Sequence, residues 1–591
     1  MRPAIRSLRA NFDLMMVNLD SAAVVRADLW LNSAIEEADK AAIRRMKEND
    51  VAAFNEAFYT DLEFGTGGLR GLMRLGSNGM NRYTVGLTTQ GLANMVCAAS
   101  KNPSVAIAYD SRNQSPEFAR VAADVLAANG VDVWLFEDLR PTPELSFAVR
   151  LKACTAGIVI TASHNPKEYN GYKVYWSDGG QIVPPQDKAL MDAVAKVSLA
   201  EVRWSGGSGA VNLLGRSTDE AYLSEVESLS LNRSGNADLG IVFTSLHGTA
   251  ITLLPESLNR WGFTKVDCLA SQAKPDGNFS TVHSPNPEEP AALELALARA
   301  EELGYGMVIG CDPDSDRVGI AVRDDVGKLV LLNGNQAAAV LMDYVLEQRI
   351  DQGSMPDNPF VASTVVTSPL LLRVAEFYGI EATETLTSFK WIAEQIRLRE
   401  GKQTFVVGGE ESYGYLAGDF VRDKDAIGSA CLLAEAAAFR ASEGSSFYLR
   451  LLELYARHGL HHDELMSLTK PGRSGLEEIQ KTMTLLRSNS PQEIAGHAVA
   501  EVVDYQQQTR RNLQSGRIEA LTLPKSNVIQ LLMANGDRIT ARPSGTEPKI
   551  KYYFNTTGVR LERGNLTKHY QEVRQELKER VESYRRVLST Y

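Results

Sequence analysis

The chain has 591 residues, which at roughly 150 residues per domain allows about four domains. Hydrophobic residues make up 44% and charged residues 23%, an ordinary balance for a globular protein with several cores. The net charge of −11 argues against nucleic acid or anionic membrane as partners, since both reward a basic surface.

No run of about 18 apolar residues occurs, so no membrane span is predicted. Cys97, Cys154, Cys268, Cys311 and Cys431 lie far apart without CxxC spacing. Neither a zinc site nor a disulfide framework is expected, and a reducing, cytoplasmic compartment is. Near the start, Arg2, Arg6 and Arg9 lack the continuous apolar core of a signal peptide. Residues 1–24 read as weakly amphipathic at most, and Met15 or Met16 is an alternative beginning.

Taken in chain order, apolar β-rich runs alternate with helical stretches. Val105–Tyr109 reads as a strand, Pro116–Asn129 as a helix closed by Gly130, and Val131–Phe136 as the next strand. Another short run, Gly157–Ile160, leads into Thr161-Ala162-Ser163-His164-Asn165-Pro166. The pattern restarts at Leu239–Phe243, at Phe360–Val366 and at Phe405–Val407. Such punctuation predicts α/β layers around largely parallel sheets. From about 471 the pattern changes: a polar stretch to about 490, strands at 528–533 and 550–554, then a long charged helix from about 566. A smaller α+β domain is expected there. No sequence-level repeat among the α/β units is visible.

Four segments carry chemistry. Ser163 sits on a tight polar loop after a strand, beside an imidazole and near backbone donors, the ingredients of a covalent phosphate carrier or an acyl nucleophile. Alone, the segment reads first as a strand ending in a Ser/Asn/Pro turn, and the later motifs overturn that reading. Second, Cys311-Asp312-Pro313-Asp314-Ser315-Asp316-Arg317 follows the apolar run Met307–Gly310. Carboxylates at alternate positions project to one side of an extended chain, and all-oxygen ligation suits a hard cation such as Mg2+. An EF-hand loop starting at Asp312 would need Gly and Glu where Arg317 and Arg323 stand, so that reading fails. A phosphatase that uses the first Asp of an Asp-x-Asp pair as nucleophile stays open, though Asp316 replaces its usual Thr or Val.

Third, Gly408-Gly409-Glu410-Glu411-Ser412-Tyr413-Gly414 places Glu410 and Ser412 where they can hydrogen-bond hydroxyl groups, or forms a surface turn. Asp419–Asp425 follows, with Arg422 and Lys424, and on its own reads as a solvated charge run. Fourth, Arg542-Pro543-Ser544-Gly545-Thr546-Glu547-Pro548-Lys549 joins hydroxyls, a glycine and an arginine fork, a cradle for a terminal phosphate or a plain turn. Near the start, Phe64–Gly71 is a flexible loop ending on Arg70 and Gly71. It lacks the Gly-Lys-Ser/Thr of a nucleotide-binding loop.

With these segments in order, the chain closely resembles the α-D-phosphohexomutase superfamily of phosphoglucomutases and phosphomannomutases, from about Asp61 to Tyr553. The resemblance implies four domains around a central cleft: three related α/β domains with mixed sheets and a smaller C-terminal α+β domain. The expected division is residues 1–50 as N-terminal extension and helices, then 51–235 with the phosphoserine loop. It continues with 236–325 with the metal loop, 326–470 with the sugar-recognition loop and 471–591 with the phosphate-binding loop.

By the same resemblance Ser163 is the phosphoserine and, with Asp312, Asp314 and Asp316, completes a Mg2+ site. Lys173 and Arg70 are candidates for proton transfer or charge stabilisation, and His164 adjoins the serine. Glu410 and Ser412 would hold sugar hydroxyls, together with Thr387 and Lys390 of the recognition loop. Arg317 would offset the phosphoserine charge, Arg422 and Lys424 would be phosphate or proton-transfer partners, and Arg542, Ser544, Gly545 and Thr546 would grip the non-reacting phosphate. His247-Gly248-Thr249 also fits the family, or serves as a structural turn.

The implied activity interconverts hexose 1-phosphate and hexose 6-phosphate, glucose first and mannose next, with a sugar bisphosphate such as glucose 1,6-bisphosphate as intermediate and activator. Phosphopentomutase, glucose-1,6-bisphosphate synthase, a metal-dependent sugar phosphatase and a non-catalytic sugar-phosphate binder are the alternatives. The expected partner is a phosphosugar, and a monomer or a homodimer are both compatible. One departure stands out: the recognition loop reads Thr387-Ser388-Phe389-Lys390, with serine where the superfamily usually has glycine. It bears on substrate identity more than on reaction type.

Overall fold

The computed structural model describes residues 18–590 except 63, 66–67, 471 and 545–548. The expectations for residues 1–17, and for Gly545 and Thr546, lie outside the described residues. The chain forms two compact units. One comprises the described residues within Met1–Leu139, Ala148–Ser177 and Pro184–Gly215; the other comprises those within Arg140–Phe147, Asp178–Val183 and Arg216–Tyr591.

In the first unit, helices Ser21–Leu31, Glu37–Asn49 and Val51–Phe58 precede the sheet. Asp20 caps the first of them, accepting from the Ala22 and Ala23 N–H groups at 2.8 and 2.9 Å. Trp30, Ile43, Phe54 and Phe58 form their shared core, and the Tyr83 ring meets Trp30 edge-on at 5.6 Å. The seven-stranded sheet runs in the order Phe64–Gly65, Gly68–Leu72, Tyr169–Trp176, Ala156–Ile160, Ser104–Tyr109, Asp132–Phe136, Val211–Leu214. Its last four strands are mutually parallel, while Tyr169–Trp176 returns antiparallel to Ala156–Ile160. All five residues of Ala156–Ile160 are buried, which is why that strand reads as an unbroken apolar run.

The second unit contains three sheets. One has the order Leu329–Leu331, Val318–Arg323, Met307–Cys311, Gly240–Thr244, Lys265–Cys268. Another has Glu381–Thr385, Pro359–Thr364, Thr404–Gly409, Tyr415–Ala417. Both are mixed, with a parallel centre and an antiparallel return. The C-terminal sheet is antiparallel through its main path: His461–Thr469, Lys549–Thr557, Arg538–Pro543, Ile529–Met533, His497–Asp504, Thr509–Asn512, Ile518–Ala520. Helix Leu566–Leu588 packs on it through Val581, Tyr584 and Leu588. Three mixed α/β sheets and a C-terminal α+β portion are therefore present.

The polar stretch expected after residue 470 is instead helix Gly472–Ser488. Ile479, Met483 and Leu486 recur at helical spacing and bury into the C-terminal core, so the sparse apolar positions form a stripe. Among the described residues, no helix is long and apolar enough to cross a membrane.

One arrangement recurs in the three mixed sheets. A parallel strand ends, a short loop follows, and the chain comes back as the antiparallel neighbour of the same strand. Residues 161–168 make this connection in the first sheet, 312–317 in the second and 410–414 in the third. Each contains one non-glycine residue in the left-handed region: Ser163 at φ 51°, Ser315 at φ 56° and Tyr413 at φ 65°. The repeat invisible in the sequence is topological.

Candidate active site

The Ser163 loop is built from its backbone. Strand Ala156–Ile160 delivers the chain, and the Ser163 N–H donates to Thr161 Oγ1 at 2.8 Å. Thr161 Oγ1 in turn donates to Asp110 Oδ2 at 2.7 Å. Arg112, fully buried, donates from Nη2 to the Ser163 and Asn165 carbonyls and from Nη1 to those of Pro166 and Tyr169. Its Nε lies 3.3 Å from Asp110 Oδ2. A buried guanidinium thus gathers four carbonyls of this loop and the start of the returning strand, helping to satisfy them where water does not reach.

Ser163 is 3% exposed, and its Oγ lies 3.2 Å from His164 Nδ1. Arg70 reaches Asn165 Oδ1 from strand Gly68–Leu72 at 3.0 Å. Lys173 is buried on the returning strand, in register with Val159. The return passes close by: a Cβ at Gly171 would sit 2.5 Å from the Thr161 carbonyl oxygen. Ser163, His164, Arg70 and Lys173 are accordingly gathered at one end of this sheet. Sequence reading missed Arg112 and Asp110, which orient the loop.

In the second unit, Asp312, Asp314 and Asp316 are all buried, and one oxygen of each lies within 4.8 Å of the others. The Asp316 and Arg317 N–H groups donate to Asp312 Oδ1 at 3.1 and 3.0 Å, curving the loop so that the carboxylates converge. Thr142 Oγ1 donates to Asp314 Oδ2 at 3.1 Å. Lys424 Nζ stands 3.1 Å from Asp316 Oδ2, and Arg317 Nη1 2.5 Å from Glu288 Oε1. Burial, and then the charges of Asp314 and Asp316, push the Asp312 carboxyl well above the usual carboxylate range. Burial works against the Lys424 ammonium, but Asp316, Asp423 and Glu410 outweigh it and raise its pKa. A buried donor set of oxygens alone, carrying excess negative charge, fits a hard divalent cation such as Mg2+.

His247-Gly248-Thr249 supports this loop. Thr249 N–H donates to the Pro313 carbonyl at 2.9 Å, and Thr249 Oγ1 meets Ser315 Oγ at 2.7 Å. A Cβ on Gly248 would sit 2.4 Å from Pro313 Cα, so only glycine permits this approach. His247 engages the Lys274 carbonyl and Thr281 Oγ1 at 3.0 and 2.8 Å.

Glu410 is 4% exposed on the third loop, where its N–H donates to the Gly414 carbonyl at 2.8 Å. Burial pushes its carboxyl up to about 7, against the pull of Lys424. Its Oε1 accepts the Ser388 N–H at 2.9 Å, bringing the recognition loop to it. Lys390 is buried while Thr387 and Ser412 are half-buried.

Beyond the exposed Asp419, the charge run to Asp425 is not solvated. Arg422 is 1% exposed, with its N–H on Ser146 Oγ at 2.9 Å and its Nε on the Asp419 carbonyl at 3.2 Å. Asp423 and Asp425 are also buried, and Asp425 caps helix Ala426–Ser442. Arg542 and Ser544 are half-buried at the end of strand Arg538–Pro543, with Arg542 in register with Lys551.

The descriptions of the phosphoglucomutase/phosphomannomutase alpha/beta/alpha domains I, II and III match residues 61–201, 220–327 and 333–458. A phosphoglucomutase of Staphylococcus epidermidis is 37% identical over 534 residues, covering 89% of this chain and 96% of the relative. One from Staphylococcus aureus is 38% identical over 539 residues, covering 90% and 96%. The open form of parafusin, a phosphoglucomutase from Paramecium, has the same fold: TM-score 0.67 at 18% identity, over 89% of this chain and 95% of that one. A phosphoglucomutase/phosphomannomutase family protein from Burkholderia thailandensis gives 0.62 at 21% identity, over 87% and 97%. The chain belongs to the phosphoglucomutase/phosphomannomutase family.

Proposed function

We propose that this protein is an intramolecular phosphotransferase that interconverts hexose 1-phosphate and hexose 6-phosphate, with glucose as the principal sugar. The observation that carries the reading is Ser163: a buried hydroxyl on a left-handed turn, beside His164 and held by Arg112. The staphylococcal relatives, named phosphoglucomutases, match over nearly their whole length and support glucose.

Ser163 Oγ carries the phosphoryl group and gives it to the free hydroxyl of a sugar monophosphate, whose proton leaves as the new P–O bond forms. The resulting bisphosphate reorients and returns its other phosphoryl group to Ser163. Lys173, Arg70 and His164 move the proton or steady the charge at this oxygen. Glu410, Ser412, Thr387 and Lys390 hold the sugar hydroxyls, Arg317, Arg422 and Lys424 face the phosphates, and Arg542 and Ser544, with Gly545 and Thr546, grip the non-reacting one. Asp312, Asp314 and Asp316 would hold Mg2+, which would supply charge stabilisation to phosphoryl transfer when bound.

Intact-mass measurement after incubation with glucose 1,6-bisphosphate tests the reading. One added phosphate, absent in Ser163→Ala along with sustained turnover, is expected. Steady release of inorganic phosphate instead would make the protein a phosphatase. Preference for a pentose phosphate, or net synthesis of bisphosphate, would move it to another branch of the family.

A further inference from the structure

Each carboxylate of the acidic loop has a different kind of partner. Asp312 Oδ1 accepts two N–H groups of its own loop, and Asp316 Oδ2 faces the Lys424 ammonium. Asp314 Oδ2 instead accepts the Thr142 hydroxyl at 3.1 Å, from a residue 172 positions earlier in the chain. The Thr142 N–H also donates to the Asp314 carbonyl at 2.9 Å, so the two residues are tied through backbone and side chain together.

Thr142 is held firmly enough to serve as a reference point. It opens helix Thr142–Leu151 between Pro141 and Pro143, whose rings restrict the backbone on either side. Two residues before it, buried Arg140 forks onto Asp219, from Nε to Oδ1 at 2.9 Å and from Nη2 to Oδ2 at 3.0 Å. Four residues after it, Ser146 Oγ donates to the Gly179 carbonyl at 2.6 Å and accepts the Arg422 N–H at 2.9 Å. Thr142 itself is fully buried, so bulk water does not compete for its hydroxyl.

A carboxylate only accepts, so the hydroxyl proton is directed at Asp314. Being neutral, this donor orients the carboxylate without cancelling its charge. A lysine or arginine in its place would offset the very charge that draws a cation.

We infer that Thr142 is a positioning residue for the divalent cation, its hydroxyl setting the orientation in which the Asp314 carboxylate meets the ion. The inference rests on the three aspartates being a metal site, as proposed above. Residues that touch a ligand rather than the metal change metal affinity by about 10- to 100-fold when their bond is removed.

Two variants separate the hydroxyl from the packing. Thr142→Val keeps the shape of the side chain and loses the hydroxyl, whereas Thr142→Ser keeps the hydroxyl. Mg2+ is titrated calorimetrically into each metal-free, full-length protein. In Thr142→Val the Mg2+ dissociation constant rises about tenfold, and the Mg2+ concentration giving half-maximal mutase rate rises with it. At saturating Mg2+ its KM for glucose 1-phosphate stays within about threefold of the wild type's. Thr142→Ser keeps the wild-type dissociation constant within about threefold. Should Thr142→Val fail to fold, Thr142→Ala, which also lacks the hydroxyl, takes its place against Thr142→Ser.

An unchanged dissociation constant in the variant without the hydroxyl, or an equal rise in Thr142→Ser, overturns the inference and leaves the metal site intact. So does a lower metal-free urea midpoint with Mg2+ binding unaffected, the mark of a purely structural threonine. A wild type that binds no Mg2+ would sink the metal reading and this inference with it.

Discussion

Between residues 161 and 168 backbone carbonyls converge on one buried cation, whereas between 312 and 317 carboxylates converge on one another. Both segments join a parallel strand to its antiparallel return, and both place a serine at positive φ. Their electrostatics are opposite. Arg112 neutralises and orders the first loop from within, so its shape belongs to the folded chain itself. The second loop holds three mutually repelling acids, and Lys424 and Arg317 offset them only in part. One loop comes already assembled; the other is organised to receive positive charge. A nucleophile needs fixed geometry before substrate arrives, while a metal site needs an affinity that excess anionic charge creates.

The contrast is most directly broken at Asp314. Asp314→Asn should lower kcat/KM about 10³-fold, since metal charge stabilisation is worth several kcal/mol. Its unfolding midpoint should respond less to added Mg2+ than the wild type's. Full activity in the presence of a chelator would show that the acids serve something other than a cation.

Arg112→Ala tests the other side. Removing it takes the ion-pair partner from buried Asp110 and a donor from four carbonyls, and losing one partner of a buried pair costs about 3–5 kcal/mol. Urea unfolding should show that loss, and Mg2+ should not restore phosphate uptake on Ser163. A variant of wild-type stability would mean that the loop holds itself.

Glu410, in the third loop, lies between the two cases and gives the comparison a pH axis. Its carboxyl, raised to about 7 chiefly by burial, keeps its proton in the folded chain after the unfolded chain has released it, near 4.5. The folded state therefore binds more protons in that window, and its stability falls as pH rises through it, levelling off above about 7. The total is at most about 3 kcal/mol, and Glu410→Gln should flatten that part of the urea-midpoint profile. A wild-type profile that is flat or rising where Glu410→Gln is also flat would contradict this. The smallest effect is expected at Arg542→Ala: KM up about tenfold with kcat within about threefold, as for loss of a grip on a phosphate that does not react.

Much of the architecture was legible because the central strands are buried on both faces and announce themselves as apolar runs. Ser163, the three aspartates and Glu410 stand where such runs end, so strand and chemistry were read together. Arg112 was not legible. Asp110-Ser111-Arg112 looks like any polar loop after a strand, and its acceptors are carbonyls more than 50 residues later in the chain, which carry no side-chain signature. Helix Gly472–Ser488 was hidden by its polar majority, since only a narrow stripe faces the core. Burial of Arg422, Asp423 and Asp425 was invisible for the converse reason: a run of charges looks alike whether water or protein surrounds it.

Because each of the three loops is bounded on both sides by ladder hydrogen bonds, its length is constrained more tightly than its composition. One residue inserted between Asp316 and Val318 would shift the return strand by one position against Met307–Cys311, turning Val318, Ile320 and Val322 from the core toward the opposite face. Evolutionary drift or engineering in these segments should therefore proceed by exchange of side chains, while insertions and deletions accumulate in connections that no ladder bounds.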